Sequence, residues 1–395
     1  MRSLHFVHSS FSSHIKKLQA AFCEVEQYFV RTWCVFEPQR PQVGFDSVYE
    51  IYSGEGSFLC IPLVTIGIVN YNCLKFLEKS VEAYLNQSYE NIEIIIVDDC
   101  STDGSVNKMK ELEHCHKNIS CIYHEKNSGG PSLAIQEIIQ QARGKYFQWI
   151  ASDDYADINA IQKFVDYLEQ TNKDYVYCNF KVIDENNNVC SYWNYTLPTL
   201  NDMVYRIFTN CSGVIPMNGL YRLEFFRKKD ITWGVYRDNE YSCDTINSLN
   251  FIKNGMDYGM INEGLIYYRL HQNNYSHNIE QRIKTSFIVY DYIIKNFNEE
   301  IYLPAIEWNS SENREQLKNY VIASFFYKKI TDFLKLEALP NHIKFNITKE
   351  KLKEYLRVAI DEGSIYIHQG LAQGDTLRKE LVDLGKKYNN LLIEL

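Results

Sequence analysis

Residues 65–105, TIGIVNYNCLKFLEKSVEAYLNQSYENIEIIIVDDCSTDGS, hold an apolar run, a segment of helical period and a second apolar run. The first run ends in the polar turn Asn70-Tyr71-Asn72, and the second breaks off at Asp98 and Asp99. Two apolar runs joined by one amphipathic segment specify a βαβ unit, with parallel strands and a crossover helix. Open sheets of this kind bind ligands at the carboxyl ends of their strands, where loops and helix N-termini converge. A later apolar run, at 145–150, is followed by Asp153 and Asp154. Polar groups at three such strand ends describe one composite site.

The alternation continues from Pro62 to about Tyr177. Strands are expected at 63–69, 92–97, 119–123, 145–150 and 174–178, and helices at 73–86, 104–114, 131–142 and 158–171. This order predicts an α/β fold with a doubly wound, mostly parallel, Rossmann-like sheet. Residues 179–280 are less regular and richer in aromatics, and from 281 the chain reads as a C-terminal helical region. At the other end Ile15, Leu18, Phe22, Val25, Phe29 and Trp33 share one face of an expected helix at 13–34. Pro38, Pro41, Gly44, Gly54 and Gly56 then mark a linker. The expected divisions are 1–57 (helical extension and linker), 58–280 (the α/β domain, halves 58–178 and 179–280) and 281–395.

Composition narrows the function classes. The formal net charge of −9 over 395 residues argues against non-specific nucleic-acid binding, which needs a basic surface. No run of eighteen apolar residues is present, so no membrane span is expected, and the first residues lack the pattern of a signal peptide. The eleven cysteines form no CxxC pair, which gives a zinc site little support and fits free thiols in a reducing cytoplasm.

Three segments carry chemistry. At Asp98-Asp99, either Asp99 or Ser101 caps the following helix, or one carboxylate accepts from a nucleobase N–H or ribose hydroxyl. Asn127 to Ser132, NSGGPS, opens a helix with two glycines that permit close backbone approach to a phosphate. Asp153 and Asp154 are adjacent carboxylates at a strand end, costly unless a cation or base neutralises them, and oxygen donors suit Mg²⁺ or Mn²⁺.

In this order and at these spacings, the YN turn, the VDDCSTDGS segment, the NSGG loop and the ASDD segment resemble the motifs of family-2 glycosyltransferases with the GT-A fold. The resemblance is strong over 62–154 and weaker to Ser276. It implies an inverting, metal-dependent enzyme of the hexosyl- or N-acetylhexosaminyltransferase type. The donor would be a nucleotide-diphosphate sugar, with UDP-sugar as the choice. Matched residue by residue, Tyr71 borders the base, Asp99 binds it, Asp98 lies by the ribose, and Asn127 and Gly130 belong to the donor loop. Asp153 stands for the carboxylate of the DxD motif that holds Mn²⁺ or Mg²⁺, and Asp154 helps to position the donor sugar. Asp244 is the expected general base, with Asp238 and Glu240 as alternatives. His271, in YRLHQNNYS, is either a further metal or phosphate ligand or a structural histidine. The chain departs from the pattern at Ala151, where the first acid of DxD is usual, and at Ile135-Gln136, where the family carries Arg-Asn. Lys126 and Arg143 are candidates for the missing cation. The implied acceptor is a saccharide or lipid-linked saccharide in bacterial surface polysaccharide or lipooligosaccharide synthesis. A cytoplasmic location follows, and the aromatic C-terminal helices either pack as a helical core on the catalytic domain or make a homo-oligomer or peripheral membrane contact. Two other readings stand beside this one: a catalytically impaired GT-A subunit that binds or scaffolds, and a sugar-phosphate nucleotidyltransferase.

Overall fold

The computed structural model describes residues 61–210, 215–229, 231–234, 243–272, 274, 279–304, 308, 314–336, 349–372 and 378–394. The expected helix at 13–34 and its linker lie outside them. The chain falls into two compact units, Met1–Pro62 and Leu63–Leu395. The second holds the sheet and the motifs at its strand ends.

The first half of that unit runs β1 (Val64–Asn70), α1 (Leu74–Leu85), β2 (Ile92–Asp98), α2 (Ser105–Cys115), β3 (Ile119–Tyr123), α3 (Ser132–Gln141), β4 (Tyr146–Ala151), the short β5 (Tyr155–Ala156), α4 (Ala160–Thr171) and β6 (Tyr175–Ile183). After it come β7 (Val189–Trp193), α5 (Leu200–Asn210), β8 (Leu220–Arg222), α6 (Leu223–Lys229), α7 (Cys243–Lys253) and β9 (Tyr258–Arg269). Among the described residues the strands form one nine-stranded sheet in the order β3-β2-β1-β4-β8-β6-β9-β5, with β7 beside β6. β1, β2, β3 and β4 pair in parallel, in a register that sets Asn70 opposite Asp98 and Asp98 opposite Tyr123. The rest of the sheet is mixed, because β8 is antiparallel to both β4 and β6, whereas β9 is parallel to β6.

Alternation explains the layers. Ile66 and Ile68 of β1 and Ile94 and Ile96 of β2 share a fully buried cluster with Leu77 and Val81 of α1 and Phe164 of α4. Gly67 faces the other way, and a Cβ there would meet Ile138 of α3 at 2.7 Å. The glycine therefore lets α3 approach β1 closely. At the amino ends of the strands Glu93 accepts from the Thr65 hydroxyl at 2.6 Å and from the Arg143 backbone N–H at 2.7 Å. Burial raises the Glu93 carboxyl, but these bonds and the Arg143 charge outweigh it and hold the group below its usual range.

The remaining helices are α8 (Ile279–Asn296), α9 (Glu299–Tyr302), α10 (Arg314–Leu336), α11 (Lys349–Ala372) and α12 (Arg378–Glu394). Aromatic rings join them to the α/β part: Phe208 of α5 stacks on Phe325 of α10 at 4.6 Å and meets Tyr290 of α8 at 5.4 Å. The Tyr388 hydroxyl of α12 donates to the Ala323 carbonyl of α10 at 2.6 Å.

Candidate active site

The site begins where β1 and β2 end side by side. The Asn70 amide donates to Asp98 Oδ1 at 2.7 Å, and the Ser101 N–H donates to Asp98 Oδ2 at 2.8 Å. Asp98 is buried, and each oxygen accepts a bond from the chain itself. Asn72 and Cys100 take left-handed backbone, at φ 48° and 67°, so both strands turn sharply at this corner. Asn tolerates that region, while Cys100 stores local strain of the kind that clusters at binding sites. The turn leaves Tyr71 exposed on the rim.

Asp99, also buried, faces the next loop. Its carboxylate accepts from the Ser128 N–H at 2.9 Å and from the Ser128 hydroxyl at 3.0 Å. The Asn127 amide donates to the Asp99 carbonyl at 3.0 Å. These bonds dock the 127–130 loop, with Gly129 at φ 90°, at the start of α3. On its other side Asp99 meets His124 Nδ1 at 2.8 Å, and His124 Nε2 meets Glu137 of α3 at 2.8 Å. Burial pulls the His124 imidazole down, but hydrogen bonds and charges of Glu137 and Asp99 together outweigh it, and the group titrates above its ordinary value.

β4 ends in the third group. Asp154 is buried, and its Oδ1 accepts the Arg269 N–H at 2.8 Å. Burial and the neighbouring Asp153 charge push the Asp154 carboxyl well above the usual range, against the pull of Arg269. Asp153 Oδ2 lies 2.9 Å from His271 Nε2, and the Asn274 amide approaches the same oxygen at 3.4 Å. Arg269, at the end of β9, is buried and clamps two segments: its Nε donates to the Asp153 carbonyl at 2.8 Å, and its other nitrogens to the Asp184 carbonyl at 2.9 Å and to Asn187 Oδ1 at 2.8 Å. Its guanidinium also lies 4.4 Å over the Phe76 ring of α1. An open cleft of ≈ 550 Å³ adjoins this group, lined by Asp184, Glu185, Asn186, Leu270, His271 and Gln272. The Cys73 thiol is pushed up to about 12, first by burial and then by Asp153.

Asp244 is exposed in the first turn of α7. Burial raises the Tyr195 hydroxyl, and the neighbouring Tyr268, Cys178, Asp244 and Asp154 add to the rise. Asp238 and Glu240 lie outside the described residues. Of the cation candidates, Arg143 is committed to Glu93 at the opposite end of the strands, whereas Lys126 is exposed beside Asn127. Ile135 is fully buried and the Gln136 side chain accepts from the Trp233 N–H at 2.7 Å, so both serve α3 packing.

Residues 65–228 match the model of glycosyl transferase family 2. This segment is a family-2 glycosyltransferase domain. Over 237 residues the chain is 27% identical to TuaG of Bacillus subtilis, a glycosyltransferase named for teichuronic acid biosynthesis, covering 58% of this chain and 87% of that one. It is 34% identical over 126 residues to an uncharacterized glycosyltransferase of Rickettsia typhi, of which it spans 38%. In fold, the chain is similar to S. aureus TarS 1–349 in complex with UDP, at a TM-score of 0.51 and 17% identity over 84% of this chain and 89% of that one. The expected GT-A α/β fold thus holds.

Two groups at the site escaped the sequence. His124 directly follows the strand read at 119–123, and a titratable residue at a strand end was the available signal. Arg269 ends an aromatic strand next to the motif that drew attention to His271, and a lone cation after apolar residues was its signal. Among the described residues, no three His, Cys, Asp or Glu side chains group to hold a metal. Asp153 with His271 supplies two donors, which fits a cation that a substrate diphosphate completes rather than a closed protein cage.

Proposed function

We propose that this chain is an inverting glycosyltransferase that moves a sugar from a nucleotide-diphosphate sugar, UDP-sugar by choice, to a hydroxyl of a saccharide or lipid-linked saccharide. The observation that carries the reading is the convergence of Asp99, Tyr71 and the Asp153–His271 pair at the carboxyl ends of β1, β2 and β4. The similarly folded TarS, solved in complex with UDP and with UDP-GlcNAc, supports the choice of donor. The likeness to TuaG, named for teichuronic acid biosynthesis, supports surface polysaccharide as the product class.

In this reading Tyr71 borders the base and Asp99 receives it. Asp98 shapes the corner beside the ribose, and Asn127 and Gly130 lie by the diphosphate. Asp153 and His271 would hold Mn²⁺ or Mg²⁺, which when bound neutralises charge on the leaving diphosphate. Arg269 fixes the backbone that carries both aspartates, and Asp154 faces the donor sugar. Asp244 takes the proton of the acceptor hydroxyl as its oxygen bonds the anomeric carbon. The bond from that carbon to the diphosphate oxygen breaks in the same step, which inverts the centre. Holding both reactants in line supplies much of the rate gain.

Transfer or hydrolysis from a UDP-sugar panel with Mn²⁺ tests the proposal. Asp153→Ala and Asp244→Asn are expected each to lower the rate by about a hundredfold or more. Full activity in both variants contradicts the assignment. A second reading, a subunit that binds donor without turnover, draws on the buried Ile135 in place of a donor-facing cation. UDP binding with no turnover on any acceptor favours it.

A further inference from the structure

β7 is unusual among the strands because all five of its residues are exposed, among them Tyr192 at 62% and Trp193 at 40%. It pairs with the far end of β6, where Trp193 stands opposite Phe180 and Tyr192 opposite Lys181. The Trp193 ring is not isolated. It lies 4.7 Å from Tyr268 of β9, which in turn lies 6.3 Å from Phe180. Phe180 contacts Tyr195 edge-on at 5.2 Å. A continuous aromatic path therefore runs from the open tryptophan face to Tyr268 and Tyr195, and Tyr268 directly precedes Arg269, whose N–H donates to Asp154 Oδ1 at 2.8 Å. The Tyr195 N–H is fixed on Asn179 Oδ1 at 2.8 Å, and the Asn179 amide donates to Asn262 at 2.9 Å, which holds the path in place.

A solvated edge strand normally carries charge or proline to discourage pairing. Val189-Cys190-Ser191-Tyr192-Trp193 carries neither. Large rigid rings kept at a surface beside a site are costly to hydration and belong to recognition surfaces. Their flat apolar faces match the C–H face of a pyranose ring, while sugar hydroxyls at the ring's edge stay in water. A protein partner would bury a broader and more continuous area than this single strand offers.

We propose that Trp193, backed by Tyr268 and flanked by Tyr192, is a stacking platform for a pyranose of the acceptor saccharide. The proposal rests on the transferase reading and adds to it the place and chemistry of acceptor recognition. It makes Trp193 a determinant of acceptor affinity with no part in donor binding.

Saturation-transfer NMR on the full chain tests it, with chitotetraose, maltotetraose and tetragalacturonic acid as probes and UDP plus Mn²⁺ as the control ligand. Irradiating the protein's aromatic protons is expected to saturate the ring C–H protons of at least one oligosaccharide. Trp193→Ala is expected to weaken that probe by about tenfold in affinity, the loss typical of a truncated aromatic anchor. Trp193→Phe retains most of it, and UDP binds equally to all three proteins. Equal probe binding by wild type and Trp193→Ala overturns the platform, as does UDP binding with no saturation of any probe. Failure of UDP itself to bind the wild type, with a probe still bound through Trp193, would instead strike the transferase reading. Unchanged UDP binding by Trp193→Ala separates loss of the platform from loss of the fold.

Discussion

His124 links the proposed base subsite to α3 by a single imidazole held between Asp99 and Glu137, 2.8 Å from each. Because its folded pKa is raised, the stability it contributes is fully present below its ordinary value of about 6.5. That contribution is lost as pH rises through the raised value. Glu125 and Lys126 neighbour it in sequence, but its ring nitrogens meet Asp99 and Glu137. Denaturant unfolding and UDP affinity, measured between about pH 6 and 9 to span the histidine range, are both expected to decline with rising pH. His124→Gln is expected to flatten both profiles, and an unchanged slope in that variant contradicts the account. The histidine could not be placed from sequence, because its partners come from β2 and α3 and only the parallel register brings them together. Asp99 was legible for a simpler reason: an acid directly after a run of buried isoleucines has few places to point.

Among the elements, β1 to β4 and α1 to α4 fall within one or two residues of the runs read from period and turn residues. Their signals are local, and β1, β2 and β4 are buried along almost their whole length because helices cover both faces. β5, β7 and β8 carry no such signal. Two of them are three residues or shorter, and β7 is exposed throughout. β9 is long but broken by Asn262, Glu263 and Gly264, where its register against β6 shifts. Its last residue, Arg269, and His271 two positions on are therefore brought to Asp153 by a pairing that no local pattern announces. The amino ends of the strands offer a contrasting test. Gly144 donates its N–H to Thr65 Oγ1 at 2.9 Å, and a Cβ there would meet the Tyr146 carbonyl at 2.5 Å and the Thr65 nitrogen at 2.7 Å. Gly144→Ala is expected to cost about 1–3 kcal/mol of unfolding free energy. It lies at the sheet end opposite the site, so UDP affinity of the folded protein should stay as it is. A stable variant, or one that folds and loses UDP, contradicts this division of labour between the two ends.

Across the unit from Leu63 to Leu395, one sheet carries both halves of the proposed reaction. Its parallel part presents the proposed nucleotide subsite, and its mixed part brings Arg269 and His271 to Asp154 and Asp153. The first half was legible in sequence because four ordered motifs mark it. The second was legible only as aromatic and irregular, since its strands pair across long separations. Among the described residues, no helix is long and apolar enough to cross a membrane. The C-terminal helices read as helices from sequence, but their seat on Phe208 of α5 depends on aromatic contacts that periodicity does not specify. Both halves of the proposed reaction depend on the strand ends forming a nucleotide-diphosphate site that a divalent cation completes at Asp153. Calorimetric titration of the full chain with UDP in Mn²⁺, repeated on Asp153→Ala and after chelation, puts that dependence to the test. Binding by the wild type is expected, with a loss of about tenfold or more in both other titrations. Equal affinity in all three, or no binding by the wild type, would contradict it.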